Sequence, residues 1–386
     1  MPLIYVIAGE PSGDLLGGRL MAALKERTGG TVTFAGIGGE TMRAQGLDSL
    51  FPMAELSVMG LVEVLPKVPQ ILRRLRQTVD DIAAKRPAAV VTIDSWGFTG
   101  RVAKRLQQVA PDIPRIHYVA PMVWAWREGR AKHLAERLDM LMCLLPNEPP
   151  YFERHGLKTV HVGHPVIESG ADKGQGPAFR ARHGIPTDAP LLCVLPGSRH
   201  SEVSRLLPVF GEALRILAPQ LPGLRLVVPT VETVADTVAA ATAGWPGSPV
   251  VLRGGAEKYD AFAAADAALA ASGTVALELA LARLPAVITY RVTPVTAFLA
   301  RRLLKVRYAN LVNLLLDRPA VPELIQEHCT PEAVARSVMR LLTDPAAAAA
   351  QRAALGEAMD GLGYGGPSPS LRAADAVLEL MKETRI

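Results

Sequence analysis

The spacing of apolar residues is the feature that most constrains the fold. Short apolar runs recur along the chain without the alternation that marks a half-exposed strand, and stretches with helical periodicity separate them. Strands buried on both faces and separated by helices are typical of a parallel sheet, so the sequence predicts an α/β fold. The predicted strands are 3–8, 32–36, 89–93, 115–119, 140–144, 159–162, 191–195, 225–228, 250–252, 267–270, 286–290 and 320–321. The predicted helices are 15–27, 68–85, 100–109, 129–137, 201–218, 233–241, 257–264, 275–282 and 371–384.

A stretch rich in Gly, Pro and polar residues interrupts this rhythm and is typical of a linker. The rhythm then restarts, which predicts two Rossmann-like domains that face a cleft. The expected division is an N-terminal domain at 1–170, a linker at 171–190, a C-terminal domain at 191–350 and a helical tail at 351–386.

Composition narrows the class of partner. The net charge of +5 favours an anionic substrate, a nucleotide or an acidic membrane surface. Aromatic residues make up only 5% and no long basic run exists, which argues against nucleic acid. The three cysteines are far apart, so neither a disulfide framework nor a structural zinc site is expected. No uncharged apolar run of about 20 residues occurs, which predicts a chain that does not span a membrane.

Residues 9–14, with the sequence GEPSGD, directly follow the first predicted strand and open a helix. Open α/β sheets bind ligands at the carboxyl ends of their strands, so Ser12 and Gly13 are candidate substrate-binding residues and Asp14 is a reserve catalytic carboxylate. The alternative is a glycine turn in which Asp14 caps a helix.

Asp94 stands at the carboxyl end of the predicted strand 89–93. A carboxylate in that position is suited to act as the base that deprotonates an acceptor hydroxyl. The alternative is a cap for the following helix.

Two further candidates in this half are aromatic. Trp124 and Trp126 lie beside Arg127 and are suited to form a substrate wall, although core packing is the alternative. His164 follows the strand at 159–162 and is suited to substrate contact or proton transfer, with a structural role as the alternative.

Residues 195–202, with the sequence LPGSRHSE, join a predicted strand to a helix. Gly197 and Ser198 expose backbone amides near a helix N-terminus, and Arg199 adds a fixed cation. Together with Glu202 they predict a site for a diphosphate leaving group. The alternative is a turn with a capping serine and a surface arginine.

Residues 271–278, with the sequence ASGTVALE, form a second junction of this kind. Ser272, Gly273 and Thr274 are candidate phosphate donors, and Glu278 is suited to accept a ribose hydroxyl. Tyr290, at the end of the strand 286–290, is assigned to the same substrate site. The alternative is an ordinary helix cap with a buried glutamate.

No DxD motif lies in a suitable loop, because Asp80 and Asp81 fall within a predicted helix. Helix dipoles and Arg199 are expected to take the place of a metal ion, so the sequence predicts transfer without metal or cofactor.

Residues 56–75 carry many apolar side chains beside arginines and lysines, which predicts contact with a membrane surface or with acyl chains. An amphipathic helix packed on the sheet is the alternative. A second basic cluster at 301–307 is interpreted as a solvated face. Within residues 56–75, the apolar side chains predicted to contact the membrane are Val58, Leu61, Leu65, Val68 and Leu72.

The ordered set of these segments resembles the lipid-A-disaccharide synthase family, glycosyltransferase family 19, which has a GT-B fold. The resemblance runs from Ala8 to about Gln326. The segments that carry it are GEPSGDLLGG at 9–18, Asp94, PMVWAWR at 121–127, VGHP at 162–165, LPGSRHSEV at 195–203, ASGTVALE at 271–278 and NLVNLLLDRPAVPEL at 310–324.

The resemblance implies that UDP-2,3-diacylglucosamine donates its sugar to 2,3-diacylglucosamine 1-phosphate, or lipid X, by an inverting reaction at the cytoplasmic side of the inner membrane. It implies that Asp94, Arg199 and Asn313 are essential and that Glu323 joins Asn313 near the donor. The chain departs from the family pattern at Trp96-Gly97 and at Val312. A homo-oligomer is compatible with the sequence.

Two other functions share parts of this pattern. A UDP-sugar 2-epimerase has the same two-domain fold but needs neither a lipid acceptor nor the apolar surface at 61–75. A non-catalytic UDP-binding protein at the membrane surface would bind the nucleotide without releasing it from an acylated donor.

Overall fold

The computed structural model describes residues 1–56, 67–123, 129–303 and 306–384. Within these residues the chain divides into two compact units. The N-terminal unit consists of Met1–Pro165 together with Gly365–Ile386, and the C-terminal unit consists of Val166–Tyr364. Each unit is built on its own parallel sheet, which confirms the α/β prediction.

The described part of the N-terminal unit contains a six-stranded parallel sheet with the order β2-β1-β3-β4-β5-β6. The strands are β1 (Leu3–Ala8), β2 (Thr33–Ile37), β3 (Ala89–Ile93), β4 (Arg115–Tyr118), β5 (Met140–Cys143) and β6 (Lys158–His161). The helices are α1 (Pro11–Thr28), α2 (Glu40–Ala44), α3 (Val68–Lys85), α4 (Trp96–Val109), α5 (Arg130–Ala135), α6 (Pro149–Glu153) and a C-terminal helix (Pro369–Glu383).

The described part of the C-terminal unit contains a second six-stranded parallel sheet, with the order β12-β11-β10-β7-β8-β9. The strands are β7 (Leu191–Leu195), β8 (Arg225–Thr230), β9 (Val250–Arg253), β10 (Ala267–Ala271), β11 (Ala286–Tyr290) and β12 (Glu323–Ile325). The helices are α7 (Gly176–Arg182), α8 (His200–Leu217), α9 (Ala235–Thr242), α10 (Lys258–Ala264), α11 (Val275–Leu281), α12 (Pro294–Leu303), α13 (Leu311–Leu316), α14 (Pro331–Thr343) and α15 (Pro345–Gly361).

The strands form where the sequence predicts them because their side chains are buried on both faces. Every residue of β3, β7 and β10 is buried, as a sheet covered by helices on both sides requires. The edge strand β12 differs from the prediction and lies three residues later than 320–321. Pro322 has no backbone N–H to donate to a ladder, which favours a strand that begins after it.

The segment expected to be a linker is part of the C-terminal unit. Its helix α7 packs against α10. The buried guanidinium of Arg180 donates to the carbonyl oxygens of Ala264 at 3.0 Å and Pro186 at 2.8 Å, and pairs with Asp266 at 3.1 Å. The sequence did not predict these Arg180 contacts, because the Gly and Pro content of residues 171–190 does not show which side chains are buried.

The end of the chain belongs to the N-terminal unit rather than forming a tail after the C-terminal one. The C-terminal helix packs along α1, where Ala373 and Val377 join the core that contains Leu20 and Leu24. Lys158 at the edge strand β6 pairs with Glu383 at 2.7 Å. An amphipathic helix shows which face is apolar but not which unit covers that face.

Asp14 is a structural residue in this fold. Its side chain is buried, and the carboxylate accepts backbone N–H groups from Gly39 at 2.7 Å, Thr41 at 2.8 Å and Met42 at 3.1 Å. These groups form the N-terminus of α2, where donors lack partners within the helix. The oxygens of Asp14, the predicted reserve base, thus hold α2 against α1 and favour the capping alternative.

Replacing Asp14 by alanine should lower the stability of the N-terminal unit by about 2 kcal/mol or more, since buried backbone donors would lose a charged acceptor. Urea unfolding measures this, with separate transitions fitted for the two units. Asp48→Ala is the matched control, because Asp48 is exposed. Equal unfolding midpoints for both variants would contradict the capping role.

Candidate active site

Each sheet reverses its strand order at one place within the described residues. The reversal lies between β1 and β3 in the N-terminal unit and between β7 and β10 in the C-terminal unit. Open α/β sheets bind ligands outside the carboxyl ends of the strands at such a reversal. The register pairs Ala8 with Ile93 and Leu195 with Ala270, so the turns that follow these strands are neighbours.

Asp94 lies on a strained turn at the first reversal. Asp94 has φ +50° and Ser95 has φ +47°, a backbone conformation that side chains other than glycine rarely adopt. The Asp94 N–H donates to the Tyr118 carbonyl at 3.0 Å, and the Thr99 hydroxyl donates to the Asp94 carbonyl at 2.9 Å. These bonds hold the turn, and the Asp94 side chain is exposed. Strain maintained in this way is typical of functional sites.

The turns beside Asp94 also show a close backbone approach and an unusual backbone conformation. A Cβ atom on Gly9 would lie 2.8 Å from the Ser95 Oγ, so only glycine fits where the β1 turn meets the β3 turn. Val119, directly after β4, has φ +83°, which is exceptional for a β-branched residue. The glycine at the start of the 9–14 segment therefore serves close packing beside Asp94. Ser12 is exposed on the first turn of α1, whereas Gly13 is buried against Ile93.

A buried histidine supports the Asp94 turn and was not predicted. The His117 Nδ1 lies 2.8 Å from the Thr92 Oγ1, and its ring meets Trp96 edge-on with centroids 4.9 Å apart. Burial lowers the pKa of His117 to about 3, so the ring is neutral at physiological pH. Trp96, a departure from the family pattern, therefore packs beneath the turn. A histidine between Ile116 and Tyr118 in a predicted buried strand is the sequence signal that could have revealed this contact.

The β7 turn holds an exposed arginine. Gly197 has φ +114°, and a Cβ atom there would lie 2.8 Å from the Glu202 Oε2. The Glu202 carboxylate accepts the Ser198 N–H at 3.2 Å and pairs with Arg199 at 2.8 Å. Arg199 is 73% exposed, whereas Glu202 is 13% exposed. Glu202 thus holds the turn that presents Arg199, and its contact with substrate stays a prediction.

The β10 turn lies against the β7 turn. The Cβ position of Gly197 is 3.6 Å from the Cβ of Ala271, the last residue of β10. The Ser272 N–H donates to Thr289 at 2.8 Å and continues the sheet, whereas Gly273 and Thr274 are exposed. The structure thus brings residues 197–199 and 272–274 together, with Tyr290 at the end of the adjacent strand β11.

Glu278 lies one turn into α11 and is held by two side chains. Its carboxylate pairs with the Lys258 ammonium and accepts the Tyr259 hydroxyl at 3.1 Å. Lys258 also lies 5.6 Å from the Tyr259 ring centroid and 5.7 Å from that of Phe262. The carboxylate is thus fixed in one position beside the β10 turn, which suits a group that accepts hydroxyl hydrogens.

Comparison with known proteins decides the family. A family model described as lipid-A-disaccharide synthetase matches residues 4–361. The chain belongs to the lipid-A-disaccharide synthase family. The relative from Paramagnetospirillum magneticum is 63% identical over 99% of this chain and 98% of its own, and that from Rhodospirillum centenum is 58% identical over 98% and 94%. Both are named lipid-A-disaccharide synthase, so this lipid-A-disaccharide synthase family member is a hexosyltransferase.

Solved structures agree with the fold. A UDP-N-acetylglucosamine 2-epimerase from Listeria monocytogenes described as putative matches with a TM-score of 0.64 and 13% identity, covering 98% of this chain and 95% of its own. MurG from Acinetobacter baumannii matches with a TM-score of 0.59 and 16% identity, covering 99% and 100%. At these identities the likeness concerns the fold alone, which is the GT-B fold of glycosyltransferases and epimerases.

Two predicted site residues of this synthase family member, Asn313 and Glu323, form hydrogen bonds within residues 309–323. Asn313 is buried; its Nδ2 donates to the Val321 carbonyl at 2.8 Å and to the Glu323 Oε1 at 2.7 Å, and its Oδ1 accepts the Val321 N–H at 2.8 Å. Glu323 also accepts the N–H groups of Ala309 and Asn310, at 2.9 and 3.1 Å. These bonds hold residues 309–323 in shape, and the contact of Asn313 and Glu323 with the donor stays a prediction.

His164 lies at the carboxyl edge of the N-terminal sheet but not beside Asp94. It follows the edge strand β6, three strands from β3, or about 14 Å at the usual strand spacing. Burial lowers the pKa of His164 to about 4, so it is neutral at physiological pH. The structure does not bring His164 together with the predicted base. Trp124, with Trp126 and Arg127, lies outside the described residues.

The predicted membrane surface is described only in part. Val58, Leu61 and Leu65 lie outside the described residues. Val68 and Leu72 are one helical turn apart on α3, and they are 38% and 44% exposed. Among the described residues, none of the helices has both the length and the apolar character needed to cross a bilayer.

Gly197→Ala should weaken UDP binding about tenfold, or about 1.4 kcal/mol, because its positive φ and the close Glu202 both oppose a side chain. Titration calorimetry with UDP measures the change. Gly223→Ala is a matched control, since Gly223 has φ +82° and a Cβ there would meet nothing within 4 Å. Equal UDP affinity in both variants would remove the β7 turn from the nucleotide site.

Proposed function

We propose that this enzyme transfers the sugar of UDP-2,3-diacylglucosamine to the 6-hydroxyl of 2,3-diacylglucosamine 1-phosphate, forming a β-1,6-linked disaccharide 1-phosphate and UDP. The family relationship supports the reaction and its substrates. One observation in the molecule carries the assignment of the donor site. Two glycine turns meet at the strand reversal of the C-terminal sheet and present an exposed arginine there.

The donor's diphosphate binds at the turns 197–199 and 272–274 in this proposal. Backbone N–H groups and the start of the long helix α8 favour an anion at this edge of the sheet. Arg199 supplies a positive charge. Its ion pair with Glu202 positions the guanidinium, which stays exposed to solvent. Charge builds up on the departing diphosphate as the bond to the sugar breaks, so these groups stabilise the transition state.

The nucleoside is recognised next to the diphosphate. Glu278 lies one helical turn beyond the β10 turn, and its carboxylate is suited to accept the ribose hydroxyls. Lys258 and Tyr259 hold that carboxylate in one orientation. Preorganised acceptors of this kind bind without first losing side-chain freedom, which favours affinity.

Asp94 is the proposed general base for the acceptor. One carboxylate oxygen accepts the Ser95 N–H at 2.8 Å, and the side chain is exposed at the edge of the sheet where substrates bind. The 6-hydroxyl oxygen attacks the anomeric carbon, its proton passes to Asp94, and the bond from that carbon to the phosphate oxygen breaks. The electron pair leaves on UDP, and a single displacement inverts the anomeric configuration.

Both substrates carry acyl chains, so the enzyme is proposed to work as a peripheral protein on the cytoplasmic surface of the inner membrane. Val68 and Leu72 on α3 present an apolar face, and Arg73 and Arg76 are exposed beside it. Apolar side chains ringed by cations favour the interface of an anionic bilayer.

Asp94→Asn should lower kcat by about a hundredfold or more, because the amide cannot accept the hydroxyl proton. UDP affinity should stay the same, since the nucleotide binds in the other unit. UDP release from the acylated donor in the presence of lipid X measures kcat, and calorimetry measures UDP affinity. Asp48→Asn, on an exposed aspartate, is the control. A near-wild-type kcat for Asp94→Asn would move the base to another residue.

Transfer should continue at full rate in excess chelator, because Arg199 and backbone amides are proposed to meet the diphosphate charge. Asp81 is one of the two adjacent aspartates at 80–81. It lies inside α3 and accepts the Tyr5 hydroxyl at 2.8 Å, so its carboxylate already has a partner within the fold. The rate of UDP release with and without chelator is the measurement. Loss of activity that added divalent ion restores would refute the metal-independent route.

A further inference from the structure

Helix α12 of the C-terminal unit carries an apolar face that is open to solvent. Val295 is 70% exposed and Phe298 is 53% exposed. They are three residues apart on the helix, so their side chains lie on the same face. Large apolar side chains exposed together in this way are typical of an interaction surface.

Cations accompany this apolar face. The Arg302 guanidinium lies 4.2 Å from the centre of the Phe298 ring, and Arg301 pairs with Glu327 at one end of the helix. Arg307 stacks on Tyr308 at 5.6 Å. The sequence contains no Asp or Glu from 293 to 310. The face therefore combines apolar side chains with the positive charge of Arg302, whereas the charge of Arg301 is paired with Glu327.

The position of α12 relates it to the donor site. Strand β11 ends at Tyr290, and α12 begins at Pro294, so the helix starts at the carboxyl edge of the C-terminal sheet. The Ser272 N–H donates to Thr289 at this same edge. A surface held by α12 would thus lie at the edge of the sheet that carries the β7 and β10 turns.

We propose that the α12 surface, defined as Val295, Phe298, Arg301 and Arg302, binds an anionic phospholipid bilayer. Phe298 and Val295 would enter the boundary between headgroups and acyl chains, and Arg302, which lies over the Phe298 ring, would bind a lipid phosphate. Exposed apolar side chains beside arginine are suited to the interface of an anionic bilayer, and no Asp or Glu occurs from 293 to 310 to repel its phosphates. This contact goes beyond the α3 surface of the proposed function, which belongs to the other unit.

The test is co-sedimentation of the full chain with vesicles of phosphatidylcholine alone or mixed with phosphatidylglycerol. Val295→Ser/Phe298→Ser should lower the partition coefficient about tenfold on the mixed vesicles. Arg302→Gln should lower it about fivefold on the mixed vesicles and leave binding to phosphatidylcholine unchanged. The matched control is Val109→Ser/Ile216→Ser, because those side chains are 55% and 37% exposed on other helices.

Wild-type partitioning of the Val295→Ser/Phe298→Ser variant would overturn the proposal, as would an equal loss in the control. Sedimentation equilibrium detects the other occupant. If the variant loses self-association but not vesicle binding, the surface joins two copies of the chain and the proposal fails. UDP affinity should stay at the wild-type value in every variant, which shows that the C-terminal unit is folded. UDP release in detergent micelles tests the proposed reaction separately, because it needs no bilayer.

Discussion

The reversal of strand order in each parallel sheet is the constraint on which the site depends. At the reversal, connections leave to opposite faces, and the carboxyl ends of two adjacent strands are left open to a ligand. In the C-terminal unit this geometry brings the β7 and β10 turns into contact, and a side chain at Gly197 would disturb both its own backbone and Glu202. The glycine is therefore required by the meeting of two strands rather than by a local turn alone.

The carboxylates discussed above fall into two groups, according to the contacts that their oxygens make and their exposure to solvent. Asp14, Glu202 and Glu323 accept hydrogen bonds from backbone N–H groups and fix α2, the Arg199 turn and residues 309–323. Asp94 is exposed on a turn held largely by backbone bonds. A carboxylate with little exposure and backbone donors is typical of a residue that positions others, whereas an exposed carboxylate on a strained turn is suited to meet a substrate.

The sequence was sufficient to predict the parallel sheets, because strands buried on both faces have an apolar pattern that little else produces. It also located the turns at 197–199 and 272–274, since glycines between a strand and a helix have few other uses. It did not show that Asn313 and Glu323 bind each other or that α7 anchors on Arg180, because such partners are distant in sequence. The contacts of His117 with Thr92 and Trp96 were not predicted either, because they depend on the register of neighbouring strands.

The most direct test of the donor site is a crystal structure of the enzyme with UDP. We expect both phosphates within hydrogen-bond distance of the turns 197–199 and 272–274, with the Arg199 guanidinium on the terminal phosphate and the ribose hydroxyls at Glu278. A nucleotide found at another edge of the C-terminal sheet, or bound only by the N-terminal unit, would contradict the proposed donor site.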